Sequence, residues 1–213
     1  MHLMIQFKKH HILNVLQKER LLGMLKSQIK DYYKKHSLSR ICQGDILRDF
    51  EIYTVDNNYA QNKESLEYVV VVTQDCDLES FSKFPISEDD KPEEFSQYLP
   101  NLFLLPAFPA EKLREGLHLE DLYAIKTKRI TSDDWKKLKD NQMHRYHHFP
   151  EKVDWQIPEL VIDFKIYYTA HTHYTLMQYK EKYVATFNEL FRERLSQRFV
   201  DYLGRIALPN IDK

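Results

Sequence analysis

Apolar residues recur at helical spacing in two segments, one near each end of the chain. The first segment carries Ile12, Val15, Leu22, Leu25, Ile29 and Tyr32, and the second carries Phe191, Leu195, Phe199, Tyr202 and Ile206. Steps of three, four and seven residues bring side chains to one face of a helix. The pattern predicts a first helix over residues 12–33 and a last helix over residues 188–206.

A different pattern predicts strands in the middle of the chain. Residues 68–73 are almost wholly β-branched, which is typical of a short strand buried on both faces. Another strand is predicted over residues 46–55, before a turn-prone Asp-Asn-Asn sequence. Residues 143–149, 160–168 and 171–177 are predicted to be extended, the last two as a hairpin. A short helix over residues 132–138, begun by a Ser/Asp cap, precedes them.

These elements together predict a single α+β core. A chain of 213 residues can bury one substantial core and is too short for two large domains. We expect a small bent antiparallel sheet or an SH3-like barrel, flanked by long N-terminal and C-terminal helices. The core domain is predicted to span residues 41–213, and residues 1–40 are predicted to form a basic helical arm.

The composition, 43% hydrophobic and 30% charged, is that of a folded protein. The longest apolar runs fall far short of the roughly 20 residues that cross a bilayer. The basic cluster near the start follows a very short apolar stretch, the reverse of a secretory signal. We therefore expect a cytoplasmic protein without membrane contact. The two cysteines, Cys42 and Cys76, exclude a disulfide framework or a four-cysteine zinc site in one chain and are expected to be free thiols.

Charge is distributed unevenly along a chain whose net charge is −1. Residues 1–40 carry nine Lys or Arg against two acids, whereas residues 75–99 carry eight acids against two Lys. A basic arm attracts nucleic acid or an acidic protein partner, with Lys26 and Lys30 among the candidate contacts. A solvated helix face gives the same pattern.

The clearest candidate for chemistry is Gln74-Asp75-Cys76-Asp77, at the end of the valine-rich strand. In an extended strand Asp75 and Asp77 project to one side. Two such carboxylates can bind a divalent cation or share a proton as an acid–base pair. Cys76 is the rival candidate, as a nucleophile, although the flanking aspartates disfavour its thiolate. The structural alternative puts Cys76 in the core, with the aspartates capping a turn.

Two histidine-containing segments are further candidates. Arg145 and His147 would share one face of a strand, where they could hold a phosphate or stabilise an oxyanion. His171 and His173 have the spacing at which two imidazoles of one strand converge on a metal ion. In both segments exposed strand residues without a ligand give the same pattern.

The last helix carries a stripe of arginines beside its apolar face, namely Arg194, Arg198 and Arg205. These residues are candidates for binding, or their stems pack at the core boundary with the guanidinium groups in water. Asp163 lies within an otherwise apolar strand. It is therefore expected to pair with one of these arginines.

Several of these motifs occur together in known bacterial proteins. The chain combines Gly44-Asp45-Ile46-Leu47, a strand ending in T-Q-D-C-D-L, R-Y-H-H-F-P at residues 145–150 and R-L-S-Q-R-F at residues 194–199. Over residues 43–209 it resembles an uncharacterised group from mobile or defence-associated gene neighbourhoods. More distantly, its G-D-I and V-V-V strands are similar to the opening of MazF/PemK-like toxins, SH3-like barrels that cleave RNA. The acidic stretch after the second strand departs from the basic RNA groove of that family.

Two functions compete on these grounds. The first is a regulatory or adaptor component of a bacterial defence or toxin-like system, which binds protein or nucleic acid. The alternative is a phosphodiester hydrolase, metal-assisted or acid/base, that uses Asp75 and Asp77 with Arg145 and His147 on the phosphate side. Thiol chemistry at Cys76 is a third possibility. The hydrolase requires its four residues to converge, together with Arg205, on one exposed cleft.

Overall fold

Eight strands form one curled antiparallel sheet in the described part of the chain. The structure is a computed structural model that describes residues 31–55, 59–83 and 98–204. The strands are Tyr33–Lys34 (β1), Asp45–Val55 (β2), Gln61–Val71 (β3), Asn101–Pro109 (β4), Tyr146–Phe149 (β5), Leu160–Asp163 (β6), Tyr168–His171 (β7) and Tyr183–Phe187 (β8). Their order is β1-β8-β2-β3-β4-β6-β5, and β7 also pairs with β4.

Six α-helices accompany the sheet within the described residues. They are Asp75–Lys83 (α1), Ala110–Arg114 (α2), Glu120–Tyr123 (α3), Ser132–Lys139 (α4), Thr172–Lys182 (α5) and Glu189–Leu203 (α6). The predicted α+β class and the antiparallel sheet are thus confirmed. None of these helices is long and apolar enough to cross a membrane.

The hairpin of β2 and β3 is the longest feature of the sheet. Its pairs run from Ile46 opposite Val70 to Val55 opposite Gln61. The valines of β3 are fully buried, which confirms the predicted strand at residues 68–71. The strand begins earlier than predicted because the polar residues 61–65 pair with β2, although they lack a β-branched pattern.

Two predicted helices can be compared with the structure. The one predicted at residues 132–138 is confirmed as α4, but its cap is Thr131, whose hydroxyl oxygen accepts a hydrogen bond from the N–H of Asp134. α6 lies inside the range predicted for the last helix. Most of the helix predicted over residues 12–33 lies outside the described residues, together with Lys26, Lys30 and Arg205. Its expected last residue, Tyr33, belongs to β1.

The stretch predicted to be extended at residues 171–177 is helical. Thr172 and Thr175 are both buried, and a spacing of three residues puts them on one face of α5. Threonine favours strands because it is β-branched, but burial of this helix face decides the outcome. The predicted hairpin of residues 160–168 and 171–177 is therefore also wrong, and β6 and β7 pair with β4 instead.

Two apolar clusters of buried side chains are found within the described residues. The first joins β2, β3 and β4 with Tyr179 of α5. The second joins α2 and α4 with β4 and β6, and it includes Trp135 and Leu138. The loop between α2 and α4 lies against this second cluster through Leu119, which positions the neighbouring His118 beside the sheet.

Candidate functional site

The strand that was expected to carry Asp75 and Asp77 ends before either residue. β3 stops at Val71, and Asp75 begins α1. Side chains two residues apart on a helix point ~200° apart, so the shared strand face is wrong. Acidic residues in the first turn of a helix are stabilised by its dipole, which favours the helix here. Binding of a divalent cation by Asp75 and Asp77 stays a prediction, but it no longer has the support of a shared strand face.

Asp75 is held by positively charged neighbours. Arg40 donates from Nη1 and Nη2 to its two carboxylate oxygens, each at 3.1 Å. Arg192 lies 3.8 Å away, and the N–H of Gln43 donates at 3.1 Å. Burial would raise the pKa of Asp75, but the hydrogen bonds from Arg40 and Gln43 outweigh it and lower the pKa below its usual value. An ionised, paired carboxylate of this kind ties α1 to the loop before β2 and to α6.

Cys76 is exposed, so the expectation of a core position is wrong. Its Sγ lies 3.6 Å from Oε1 of Gln74 and 3.7 Å from Oδ1 of Asp77. Neither an amide oxygen nor a negative carboxylate stabilises a thiolate, which needs a positive charge nearby. The proposed reactivity of Cys76 stays a prediction.

Arg145 and His147 do not form a common binding face. Arg145 precedes β5 and donates from Nε and Nη2 to the two carboxylate oxygens of Asp163, at 2.8 and 2.5 Å. His147 is buried, with its ring 4.6 Å from that of Phe149. Because β5 begins at Tyr146, the strand alternation predicted from Arg145 onward does not apply. The residues required for the hydrolase thus belong to separate networks.

The arginine stripe of the last helix is partly used inside the protein. Arg198 donates to the carbonyl oxygens of Asn141 at 2.6 Å and of Met143 and Tyr146 at 2.8 Å each. Burial lowers the pKa of its guanidinium below the usual value. Arg194 is half-buried on the same helix. The prediction that Asp163 pairs with an arginine of this helix is wrong, because its partner is Arg145.

His171 and His173 are both exposed at the start of α5. His171 ends β7 and His173 lies in the first turn of the helix, so the two imidazoles do not share a strand face. The strand geometry expected for a metal site at these residues is therefore wrong.

A different site lies where the pairing of β3 and β4 ends. The pairs run only from Val71 opposite Leu104 to Val69 opposite Pro106. Pro106 has no N–H to donate, and a proline therefore commonly marks the end of a ladder. Beyond it, residues 65–68 of β3 and 106–108 of β4 line a cavity of about 70 Å³. We call this cavity the β3–β4 cleft; its other lining residues are Lys112, His118, Asp121 and Leu122.

His118 is the buried polar residue of the cleft, with 4% of its surface exposed. Neither ring nitrogen has a hydrogen-bond partner among the described residues. Its Nε2 lies 3.6 Å from Oδ2 of Asp163, and its ring meets Phe108 edge-on at 5.1 Å. Buried polar groups are normally hydrogen-bonded. An imidazole with unused hydrogen-bonding capacity that lines a cavity is a candidate contact for a ligand.

Asp163 lies behind His118 and forms an ion pair with Arg145. It is fully buried and also accepts a hydrogen bond from the N–H of Lys165 at 3.1 Å. Burial would raise the pKa of Asp163, but His118 and Arg145 outweigh it and lower the pKa below its usual value. The ionised carboxylate faces Nε2 of His118, which leaves Nδ1 as the ring nitrogen for a ligand.

The rim of the cleft carries more negative than positive groups. Nζ of Lys112 lies 2.9 Å from Oδ2 of Asp121 and 3.7 Å from Oε2 of Glu67. The hydrogen bond to Asp121 raises the pKa of Lys112 above its usual value. One ammonium group thus stands between two carboxylates, and the rim favours a cationic ligand over an anionic one.

Sequence patterns did not single out His118, Lys112 or Asp121. The one local signal is Leu117-His118-Leu119, in which a titratable residue stands between two leucines after Gly116. Asp163 was recognised as an acid in an apolar strand, but its neighbours were not.

No family model matches the chain, and no curated protein matches it.

Proposed function

We propose that this chain is a regulatory or adaptor component that binds another protein, and that an extended segment of the partner pairs with β3 at the β3–β4 cleft. The observation that carries the proposal is the unpaired edge of β3. Among the described residues, β3 meets β4 only at Val69–Val71, so residues 61–68 have no strand on that side. An extended peptide adds to such an edge through main-chain hydrogen bonds.

Ser65 directs its backbone groups toward this open side. It lies opposite Glu51 in the hairpin. The N–H and C=O of Glu51 bond to the side chain of Gln178, at 2.9 and 3.1 Å, and not to β3. Residues directly opposite in an antiparallel pair either bond each other or both face outward. The N–H and C=O of Ser65 therefore face the space that a partner strand would occupy.

The rim of the cleft selects the charge of the partner. The two carboxylates of Glu67 and Asp121 outnumber the ammonium group of Lys112. A lysine or arginine of the partner segment is attracted here, whereas nucleic-acid phosphates are repelled. The partner of this cleft is accordingly a protein segment that carries a basic side chain.

The outer half of the hairpin offers apolar contact surface to the same partner. Tyr53, Val55 and Tyr59 are 54%, 66% and 91% exposed. The ring of Tyr174 lies 5.6 Å from that of Tyr53 and supports it. Aromatic residues are enriched in protein interfaces. These side chains give an exposed apolar surface to the same hairpin that carries the open edge of β3.

We attribute this binding role to a bacterial defence or toxin-like system because of the resemblance over residues 43–209. The finer description of the sheet as an SH3-like barrel between long terminal helices belongs to the same proposal. The alternative, a phosphodiester hydrolase, has less support, because Asp75 is paired with Arg40, Arg145 is paired with Asp163, and His147 is buried.

Replacing Ser65 with proline is expected to weaken partner binding about fivefold or more, since loss of one main-chain hydrogen bond alone corresponds to about 1 kcal/mol. Proline removes the outward N–H, whereas Ser65→Thr retains it. Peptides selected from a random displayed library on the full chain are the probe, with affinities measured by fluorescence anisotropy. We expect the selected peptides to be rich in Lys or Arg. Equal affinity for the wild type and Ser65→Pro would refute the proposed edge.

Charge reversal at Asp121 tests the rim with the same peptides. Asp121→Lys should weaken the binding of basic peptides, while Glu181→Lys, at an exposed acid of α5, should leave it unchanged. If the two variants behave alike, the effect is one of net charge and not of the cleft.

The basic segment of residues 1–40 provides a rival binding site. In the structure residues 33–40 include β1 and the Arg40–Asp75 pair, so the appropriate deletion ends at residue 30. We expect the shortened chain to bind the selected peptides within about threefold of the wild-type affinity, a difference under 1 kcal/mol. Loss of binding by a folded shortened chain would assign the site to the arm.

A further inference from the structure

Three side chains that can bind metal ions meet just before and at the start of β2. One ligand atom of each of His36, Cys42 and Asp45 lies within 4.8 Å of the others. Nε2 of His36 is 2.7 Å from Oδ1 of Asp45, and Sγ of Cys42 is 4.0 Å from Nδ1 of His36. Asp45 is fully buried, whereas His36 and Cys42 are partly exposed, so an ion can reach the group from solvent.

The turn from Cys42 to Asp45 fixes two of the three side chains. The N–H of Cys42 donates to Oδ2 of Asp45 at 2.7 Å, and the N–H of Asp45 donates to the carbonyl oxygen of Cys42 at 3.2 Å. Gly44 has φ +89°, a conformation that L-residues with a side chain rarely adopt. The stem of Arg192 packs against this glycine, where a Cβ would come within 3.1 Å of it. The turn is thus closed tightly enough to hold Cys42 and Asp45 side by side.

Outer hydrogen bonds orient the ligand atoms. Nδ1 of His36 lies 2.7 Å from the carbonyl oxygen of Ser37. Both ring nitrogens therefore face acceptors, and the protonated ring donates from Nδ1 to Ser37 and from Nε2 to Oδ1 of Asp45. Loss of the Nε2 proton on metal binding leaves that lone pair for the ion, while Nδ1 still donates to Ser37. Oδ2 of Asp45 accepts from Cys42 and from the hydroxyl of Tyr179, at 2.9 Å for the latter, which leaves Oδ1 facing His36. Metal-binding histidines and carboxylates are characteristically held by such second contacts.

We propose that His36, Cys42 and Asp45 bind Zn²⁺ through Nε2, Sγ and Oδ1. Ligand atoms of a tetrahedral zinc site lie about 3.3–3.8 Å apart, given bonds of about 2.0–2.3 Å. Nε2 and Oδ1 lie 2.7 Å apart, Sγ lies 4.0 Å from the other nitrogen of the same ring, and one ligand atom of each residue lies within 4.8 Å of the others, so the three side chains are close enough to reach that range. Binding releases the thiol proton of Cys42 to solvent, together with a proton from His36 when the ring is protonated.

The ligand types select the ion. Thiolate and imidazole suit zinc, whereas Mg²⁺ and Ca²⁺ take oxygen ligands. Three protein ligands also leave a fourth position, which water or an incoming group fills in zinc sites of this kind. The site shares no residue with the β3–β4 cleft, so it is independent of the proposed partner binding.

Cobalt titration of the metal-free full chain tests the site. Co²⁺ replaces Zn²⁺ in tetrahedral sites and reports a bound thiolate by a ligand-to-metal absorption band. Burial and the carboxylate of Asp45 raise the pKa of Cys42 to about 11, so its thiol is protonated at neutral pH and the band requires the metal. We expect one equivalent of Co²⁺ to give the band, Zn²⁺ to abolish it, and excess Mg²⁺ to leave it unchanged.

Cys42→Ser and Cys76→Ser form a matched pair for this titration, since the chain has two cysteines and both are free. Cys42→Ser should lose the band and Cys76→Ser should keep it. Absence of the band in the wild type, or its loss only in Cys76→Ser, would overturn the assignment. If Cys42→Ser does not fold, as judged by circular dichroism, His36→Gln serves in its place. Loss of a residue that hydrogen-bonds a metal ligand typically weakens metal binding about 10–100-fold. Loss of the ligand itself in His36→Gln should weaken Zn²⁺ binding by more than this.

Tyr179→Phe distinguishes a built metal site from a chance cluster. Tyr179 donates to Oδ2 of Asp45, and phenylalanine keeps its buried ring without the hydroxyl. The Zn²⁺ affinity should fall about 10–100-fold, as expected for loss of an orienting contact. An unchanged affinity would show that Asp45 is not a ligand.

Discussion

Replacing Arg145 with methionine is expected to lower the free energy of unfolding by about 3 kcal/mol. The reason is that Asp163 is fully buried, and the guanidinium is its only bidentate partner among the described residues. Methionine leaves the carboxylate buried with the N–H of Lys165 and the ring of His118 alone. The value is at the lower end of the range for broken buried pairs because the Arg145 side chain is 37% exposed and screened by solvent. Urea denaturation followed by circular dichroism measures it.

The same pair has a defined pH dependence. The pKa of Asp163 is lower in the folded protein than its usual value of 3.8. Its stabilising contribution is therefore present above about pH 4, the usual pKa of this carboxyl. It is lost as the pH falls through the lower folded pKa. The difference in stability between the wild type and Arg145→Met should consequently be constant near neutrality and shrink in acid.

Two variants separate this structural role from a role in binding phosphate. The double variant Arg145→Met, Asp163→Leu should recover much of the stability, because no unpaired charge stays buried. Lys112→Met removes a cation from an exposed pair and should change stability by less than about 1 kcal/mol. If Arg145→Met keeps full stability, the pair does not hold this region together, and a phosphate-binding role for Arg145 regains its support.

Gly116→Ala is expected to destabilise the protein by at least about 2 kcal/mol, from left-handed strain together with overlap. Gly116 has φ +79°, and an added Cβ would overlap the carbonyl group of Thr127. Its own carbonyl oxygen accepts from the N–H of Thr127 at 2.9 Å, so this contact closes the loop that carries His118. Relief of the overlap must move backbone, because no flexible side-chain end is involved. Thermal and urea unfolding measure the loss.

Gly204→Ala is the matched control for this substitution. Gly204 follows α6 with a φ of −78°, and an added Cβ would approach no closer than 3.3 Å, to the carbonyl oxygen of Val200. Its effect should stay within about 1 kcal/mol. In addition, Gly116→Ala should weaken peptide binding at the β3–β4 cleft in the folded fraction, because His118 moves with the loop. Equal stabilities of the two variants would contradict the expected overlap at Gly116.

Sequence patterns predicted those elements whose formation depends on local features. β2, the buried half of β3 and α4 follow from β-branched runs and from helical spacing that later packing does not oppose. α5 was missed because Thr172 and Thr175 favour strands locally, while burial of both on one helix face decides the outcome. The shared face of Asp75 and Asp77 was predicted on the condition that the chain stays extended beyond residue 73, whereas β3 ends at Val71 and a helix begins at Asp75.

The candidate sites depend on contacts between segments that are distant in sequence, and local patterns do not predict such contacts. Asp163 was predicted to need an arginine, but Arg145 meets it only through the register of β5 with β6, where Tyr146 faces Asp163. The β3–β4 cleft depends on where a ladder ends at Pro106 and on a loop that brings His118 to that point. Neither the contact of Arg145 with Asp163 nor the position of His118 at the cleft follows from spacing along the chain. The His36–Cys42–Asp45 group did leave a local signal, a cysteine and an aspartate three residues apart after a histidine, which the count of cysteines obscured.

The amide of Gln178 determines how many copies can join through these strands. It bonds to both backbone groups of Glu51, so the outer side of β2 is blocked at the middle of the hairpin while β3 stays open. A fibre that grows by strand addition needs two complementary edges on every subunit. Among the described residues this hairpin offers only the edge of β3, so a strand accepted there finds no second edge on the same hairpin. Association through the hairpin therefore stops at one segment per chain, and the hairpin can keep an unpaired strand without polymerising.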